Sequence, residues 1–228
     1  MYGSEYNPTN SPVPPVPFSQ PTNLFRFGEQ SIWSSHFLGI GSIANSQERL
    51  FSTAIGGTGG GFAAPLSIAE TNIKEGGRVP SGSAYDVYGV ACQVQGAATA
   101  DGKTTISRPL DTDVEISDLL NVIQNGVLVW DFLQTQIVIA PVIMCGAGGG
   151  AFGAVAAAGN AAGAAVASGH MNNGNGQIWM YRKHPVALPG SATFNVLLQF
   201  GSRAADLTQE LSVRVALLGY YKNVIEIG

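Results

Sequence analysis

Charge is what this sequence has least of. Only 11% of its 228 residues are Asp, Glu, Lys or Arg, against about 25% in an ordinary soluble domain. No formally charged residue stands between Asp131 and Arg182. Lys and Arg number 11 and Asp and Glu 15, for a net charge of −4. Neutralising phosphates needs the opposite balance, so direct, sequence-specific nucleic-acid binding is not expected. Cysteine is scarce as well. Cys92 and Cys145 each sit in an apolar, strand-like run, the pattern of buried free thiols. A disulfide between them stays open, because sequence does not report proximity. The three histidines, His36, His170 and His184, are far apart, and there is no GxSxG, P-loop or CxxC pair. No nucleophile has a base at a recognisable spacing. No catalytic residue, metal ligand or cofactor is therefore assigned, and an enzyme is not expected. Met1-Tyr-Gly-Ser-Glu is neither basic nor followed by an apolar run, so no secretory leader is expected.

What the chain does have is strand pattern. In Ser191–Phe200 the residues Ala192, Phe194, Val196, Leu198 and Phe200 alternate with Thr193, Asn195 and Gln199. In Glu210–Gly219, Leu211, Val213, Val215 and Leu217 alternate with Ser212 and Arg214. Such alternation marks sheets with one dry face, usually antiparallel. With Gln177–Arg182 these runs predict a β meander at the carboxyl end, its turns at Pro189-Gly190 and 201–206. Further strands are predicted at 85–95, 103–108, 127–133, 135–141 and 222–227, giving about eight. Ile116, Leu119, Leu120 and Ile123 share a helical face, so Val114–Gln124 is predicted as a short helix. Ser117 or Asp118 would cap it and Asn125-Gly126 would stop it. Residues 28–84 read as irregular, with a short helix over 42–51.

The length suits one all-β domain with a proper core. Ahead of it, residues 1–27 form a proline-rich segment with Pro12, Pro14, Pro15, Pro17, Phe18 and Pro21. Proline fixes φ and lacks an amide donor, so this reads as an extended arm, either a tether laid across a neighbouring subunit or a disordered end. It holds one acidic residue, Glu5, and one basic residue, Arg26, and is no genome-binding arm. Residues 28–228 make the domain, with 144–176 as a Gly/Ala-rich insertion.

Within that insertion, Gly148-Gly-Gly150-Ala-Phe-Gly153 fits GxGxxG, but the acidic residue that would hold a ribose about 20 positions on is absent. The stretch is long enough to span a membrane, yet Ala and Gly are weakly hydrophobic, so a close-packed insertion is expected instead. Asp111-Thr-Asp113-Val-Glu115 resembles the start of a calcium loop but has Ile116 where the glycine belongs.

Eight antiparallel strands in two sheets make a jelly roll. Glu70-Thr71-Asn72-Ile73, then Arg78-Val79-Pro80-Ser-Gly82 before a strand, and the ending Leu211-Ser-Val-Arg-Val-Ala-Leu-Leu-Gly219-Tyr-Tyr together resemble single jelly-roll viral capsid proteins of small or tailless bacteriophages. The resemblance covers residues 70–228. It implies a virion protein, assembled in the host cytoplasm, that self-assembles into an icosahedral shell through arm and loop exchange. Its partners would be copies of itself in trimer or pentamer capsomers, and other capsid proteins. The chain departs from many such coats in lacking a basic arm, so another protein, a membrane or counter-ions would face the genome. Low charge fits extensive protein–protein contact independently. Two other readings stay open. One is a receptor- or carbohydrate-binding jelly-roll module using Trp33, Trp130 or Trp179, of which Trp130 and Trp179 are expected in the core. The other is a cupin-like enzyme, for which the histidine spacing gives no support.

Overall fold

Strand β14 (Leu211–Ile225) is the axis of the larger of two sheets. Leu211, Val213, Val215 and Leu217 are fully buried along it. In the computed structural model, which describes residues 24–100, 103–108, 113–132, 135–146, 150–151, 158–159, 165–166, 171–172, 178–181 and 184–225, β14 is paired on both edges. On one side lies β1 (Leu24–Leu38), from Leu24 opposite Ile225 to Leu38 opposite Leu211. On the other lies β3 (Ser83–Ala100). The far edge of β3 takes β4 (Lys103–Arg108), β11 (Trp179–Met180) and β12 (Val186–Leu188). The second sheet runs β2 (Gln47–Leu50), β13 (Phe194–Phe200), β5 (Gly126–Phe132), β6 (Thr135–Pro141). Every pairing is antiparallel.

The pairing is nested. β1 meets β14, β2 meets β13, β3 meets β11 and β12, and β5 meets β6, while β14 also lies beside β3 and β13 beside β5. The chain crosses repeatedly between the sheets, and their inner faces share one core. Val90, Cys92 and Val94 of β3 and Val213 and Val215 of β14 belong to the same cluster as Leu128 and Trp130 of β5 and Val196 and Leu198 of β13. The expectation of a mainly β, two-sheet antiparallel architecture with a short helix therefore holds. The one helix among the described residues, α1 (Asp113–Asn125), leads into β5.

That helix has its predicted extent but different anchors. Leu119 and Val122 are its fully buried residues. Ser117 and Asp118 lie inside it and cap nothing. The buried Asp118 carboxylate instead accepts the Thr208 N–H at 2.7 Å, the Thr208 hydroxyl at 2.8 Å and the Gln209 N–H at 2.8 Å. Asn121 adds a pair of bonds to Ala205, accepting at 3.2 Å and donating at 2.9 Å. Together they fix the long loop that carries the chain from β13 in one sheet to β14 in the other.

Four sequence expectations need correction. Residues 28–84 are not wholly irregular. β1 fills 24–38, taking in the last four positions of the supposed arm, and its pattern is hidden because polar Ser34 and Ser35 occupy buried positions. The helix over 42–51 is absent, and β2 stands at 47–50. Ile43, Leu50 and Phe51 are buried, a spacing that imitates one helical face. The terminal meander is also wrong, because β13 joins the second sheet while β12 and β14 join the first. Alternation reveals a dry face but not the neighbour that pairs. Finally, the strands expected at 210–219 and 222–227 are one strand, which stays continuous because its register slips at Leu218/Gly219. There an added Cβ on Gly219 would sit 2.5 Å from the Asp86 carbonyl and 2.7 Å from the Tyr85 ring, so only glycine lets the strands approach.

The core assignment gives a direct contrast. Leu198→Ala empties a fully buried site on β13 and should cost about 2–5 kcal/mol, whereas Val138→Ala, on exposed β6, should change stability by less than about 0.5 kcal/mol. Urea unfolding of the two variants measures both.

Candidate assembly surface

A buried strand edge must find partners for its N–H and C=O groups, and an exposed one is normally guarded by charge. Two of the outer strands, β1 and β6, treat this differently. β1 is covered by the loop that follows β2. Ser35 N–H donates to the Glu70 carbonyl at 2.8 Å and Phe37 N–H to that of Gly60 at 2.8 Å. Further back along β1, the Asn72 side chain acts as a one-residue strand: its Oδ1 accepts from Trp33 N–H at 2.8 Å and its Nδ2 donates to the Ser31 carbonyl at 2.9 Å. Arg214 clamps the same loop through the Ala69 carbonyl at 2.7 Å.

β6 has no such cover among the described residues. It pairs only with β5, and Thr135, Gln136, Ile137 and Val138 are all exposed. Ile137 and Val138 are 56% and 66% exposed, and the adjoining 3-10 turn adds Ile143 and Met144. The strand contains no charged residue. Among the described residues the result is an open, unguarded and largely apolar edge.

Beside the start of β1 and the end of β14 lies a cavity of about 480 Å³. Tyr85, Phe194 and Tyr221 form part of its wall, with Glu29, Lys74 and Arg78 among its lining residues. Tyr85 is held by its hydroxyl, which donates to the Leu217 carbonyl at 2.8 Å, and burial raises that phenol well above its ordinary value. On the outer face of the first sheet Tyr88 donates to Glu29 and stacks at 5.2 Å on Tyr220. The bond to Glu29 pushes the Tyr88 phenol up to about 12.

The predicted arm residues Pro12, Pro14, Pro15, Pro17, Phe18 and Pro21 lie outside the described residues. Trp130 is buried as expected, donating to the Tyr181 hydroxyl at 2.6 Å, and Trp179 packs half-buried against the core. The glycine-rich insertion contributes two short ladders, β7 (Gly150–Ala151) with β10 (Met171–Asn172) and β8 (Ala158–Gly159) with β9 (Ala165–Val166). Gly150 thus stands in a strand. Among the described residues no group of three His, Cys, Asp or Glu is placed to hold a metal, and no helix is long and apolar enough to cross a membrane.

One contact that sequence reasoning missed joins the two sheets. His36 of β1 and Glu48 of β2 meet at 2.9 Å, both largely shielded from water. The hydrogen bond from His36 holds the Glu48 carboxyl below its ordinary 4.5, outweighing burial, which acts the other way. Nothing in the spacing of His36 and Glu48 signals this, because the pair depends on which strands face each other. By contrast Arg49 and Asp131, at 3.7 Å with the arginine well exposed, contribute little.

A carboxyl lowered in the folded state stabilises the fold above its unfolded pKa, and that stability is lost as pH falls through the folded value. Glu48→Gln should therefore be less stable than wild type by about 1–2 kcal/mol near neutral pH, and the gap should close as the pH falls below the ordinary carboxylate range. Chemical unfolding at several pH values measures it, and a gap independent of pH would refute the charged contact. No protein-family model matches the chain, no curated protein matches it, and no solved structure matches it.

Proposed function

We propose that this chain is a structural virion protein, a single jelly roll that self-assembles into an icosahedral shell. The observation that carries the jelly-roll part of this reading is the nested pairing. Taking β11 and β12 together, the principal strands in chain order are β1, β2, β3, β5, β6, β11/β12, β13 and β14. First pairs with last, second with seventh, third with sixth and fourth with fifth. Winding such a folded ribbon round a core sets the eighth strand beside the third and the seventh beside the fourth, as β14–β3 and β13–β5 are. That supports a jelly roll, a fold used by capsid and lectin domains and cupins alike. Fold alone does not select among them.

The surface favours assembly. An uncharged apolar edge at β6 is a hazard on a monomer and an asset in a subunit whose neighbours cover it. The scarcity of charge over the whole chain points the same way. Repeated copies around closed symmetry multiply contacts that are weak one at a time. The proline-rich segment ahead of β1 would serve as the tether between neighbours. A second reading, a receptor- or carbohydrate-binding module, is favoured by the Tyr88–Tyr220 pair beside Glu29, since exposed tyrosines with a nearby carboxylate suit a sugar face.

Light scattering after size exclusion, followed by negative-stain imaging, should reveal trimers, pentamers or particles. A 23.6 kDa monomer at high concentration would refute the assembly reading and turn attention to glycan binding at Tyr88 and Tyr220. The double variant Ile137→Asp, Val138→Asp should weaken association by about tenfold or more while unfolding like wild type. Removing residues 1–23, which leaves β1 whole, should yield a folded subunit that assembles poorly, and normal particles from it would exclude the tether.

A further inference from the structure

Cys92 and Cys145, far apart in the chain, belong to the same core cluster. β3 presents Cys92 inward with Val90 and Val94. β11 ends its pairing with β3 at Val90, and just beyond that point the Cys92 N–H donates to the Cys145 carbonyl at 2.7 Å. Cys145 itself closes the 3-10 turn after β6, its N–H bonded back to the Val142 carbonyl at 2.9 Å. A direct main-chain bond of this length keeps two Cα atoms within about 6 Å of each other, inside the range of about 4.4–6.8 Å that disulfides span. Both thiols are free and buried. Burial pushes the Cys145 thiol up to about 12. It raises Cys92 as well, and the charge of a Cys145 thiolate would raise it further, an electrostatic sign of the same proximity.

We propose that Cys92 and Cys145 are an oxidative modification site, converted by a small disulfide oxidant into one intramolecular disulfide that ties β3 of the first sheet to the turn that follows β6 of the second. In the first step a thiolate of one cysteine attacks the oxidant's sulfur, forming a mixed disulfide and releasing one small thiol. In the second, the other cysteine attacks the protein sulfur of that mixed disulfide and releases the second small thiol. The protein loses two protons and two electrons, and the oxidant is reduced to two thiols. The thiolate is the attacking species, so the closed core resists oxidation and the reaction follows local opening of the turn at 142–145. This inference does not depend on the shell reading, and its test needs no assembly.

Full-length folded protein incubated with oxidised glutathione should lose about 2 Da in intact mass. Proteolytic mapping should recover one Cys92–Cys145 linked peptide, and dithiothreitol should reverse it. Its thermal midpoint should rise by several degrees, since the bridge closes a long loop. Cys92→Ser should instead accumulate a stable glutathione adduct on Cys145, the trapped first step. An unchanged mass in folded wild type, a persistent glutathione adduct on it, or a disulfide between two chains would each overturn the proposal.

Discussion

The fold depends on β14 being paired along both edges. It is fifteen residues long, Leu211, Val213, Val215 and Leu217 along it are fully buried, and each of its main-chain donors and acceptors would cost about 1–3 kcal/mol if buried without a partner. β1 satisfies one edge from end to end and β3 most of the other. Both come from the first half of the chain, so the first sheet closes only when the two ends of the domain meet. The second sheet shares one core with that inner face, and within it Phe194 of β13 packs between Phe51 and Trp130.

Where strands run out, side chains take over the ladder's work. The Asn72 amide serves two main-chain groups of β1, the Ser34 hydroxyl accepts from Phe51 N–H at 3.0 Å, and Asp118 gathers three donors from the β13–β14 loop. Phe51 holds a left-handed φ of 65°, a strained conformation for a bulky residue, while its carbonyl takes the Gly77 N–H at 2.6 Å. These contacts turn the long connection from β2 to β3 into a fixed shield over one edge of the molecule. No equivalent shield stands over β6 among the described residues, and that asymmetry gives the surface a direction.

The sequence was most legible where apolar alternation is regular. β3, β5, β6, β13 and much of β14 stand where Tyr85–Gln95, Val127–Leu133, Thr135–Pro141, Ser191–Phe200 and Glu210–Gly219 put them, and α1 follows from Leu119 and its neighbours. It was least legible where buried positions are polar. Ser34 and Ser35 hide β1, and β2 offers only Leu50. Register slips defeat period-two reading as well: on β3 the inward set is Tyr85 and Val87, then Val90, Cys92 and Val94, a change of phase that no alternation rule anticipates. The His36–Glu48 contact and the main-chain hydrogen bond from Cys92 to Cys145 were beyond reach for a different reason. Each joins segments whose proximity is set by strand order, which is a property of the whole chain.

The antiparallel match of β1 with β14 has a mechanical consequence. Leu24 faces Ile225, so the first and last residues of the strand pair sit side by side at one corner. A pull that separates those two residues loads the hydrogen bonds one pair at a time, as in opening a zipper, and meets little resistance. A pull directed along the strands, such as Leu38 drawn against Ile225, loads the whole row in shear and is far harder to yield. The strand pair is thus soft at one corner and stiff along its length, and the direction of an applied load decides which of the two is felt.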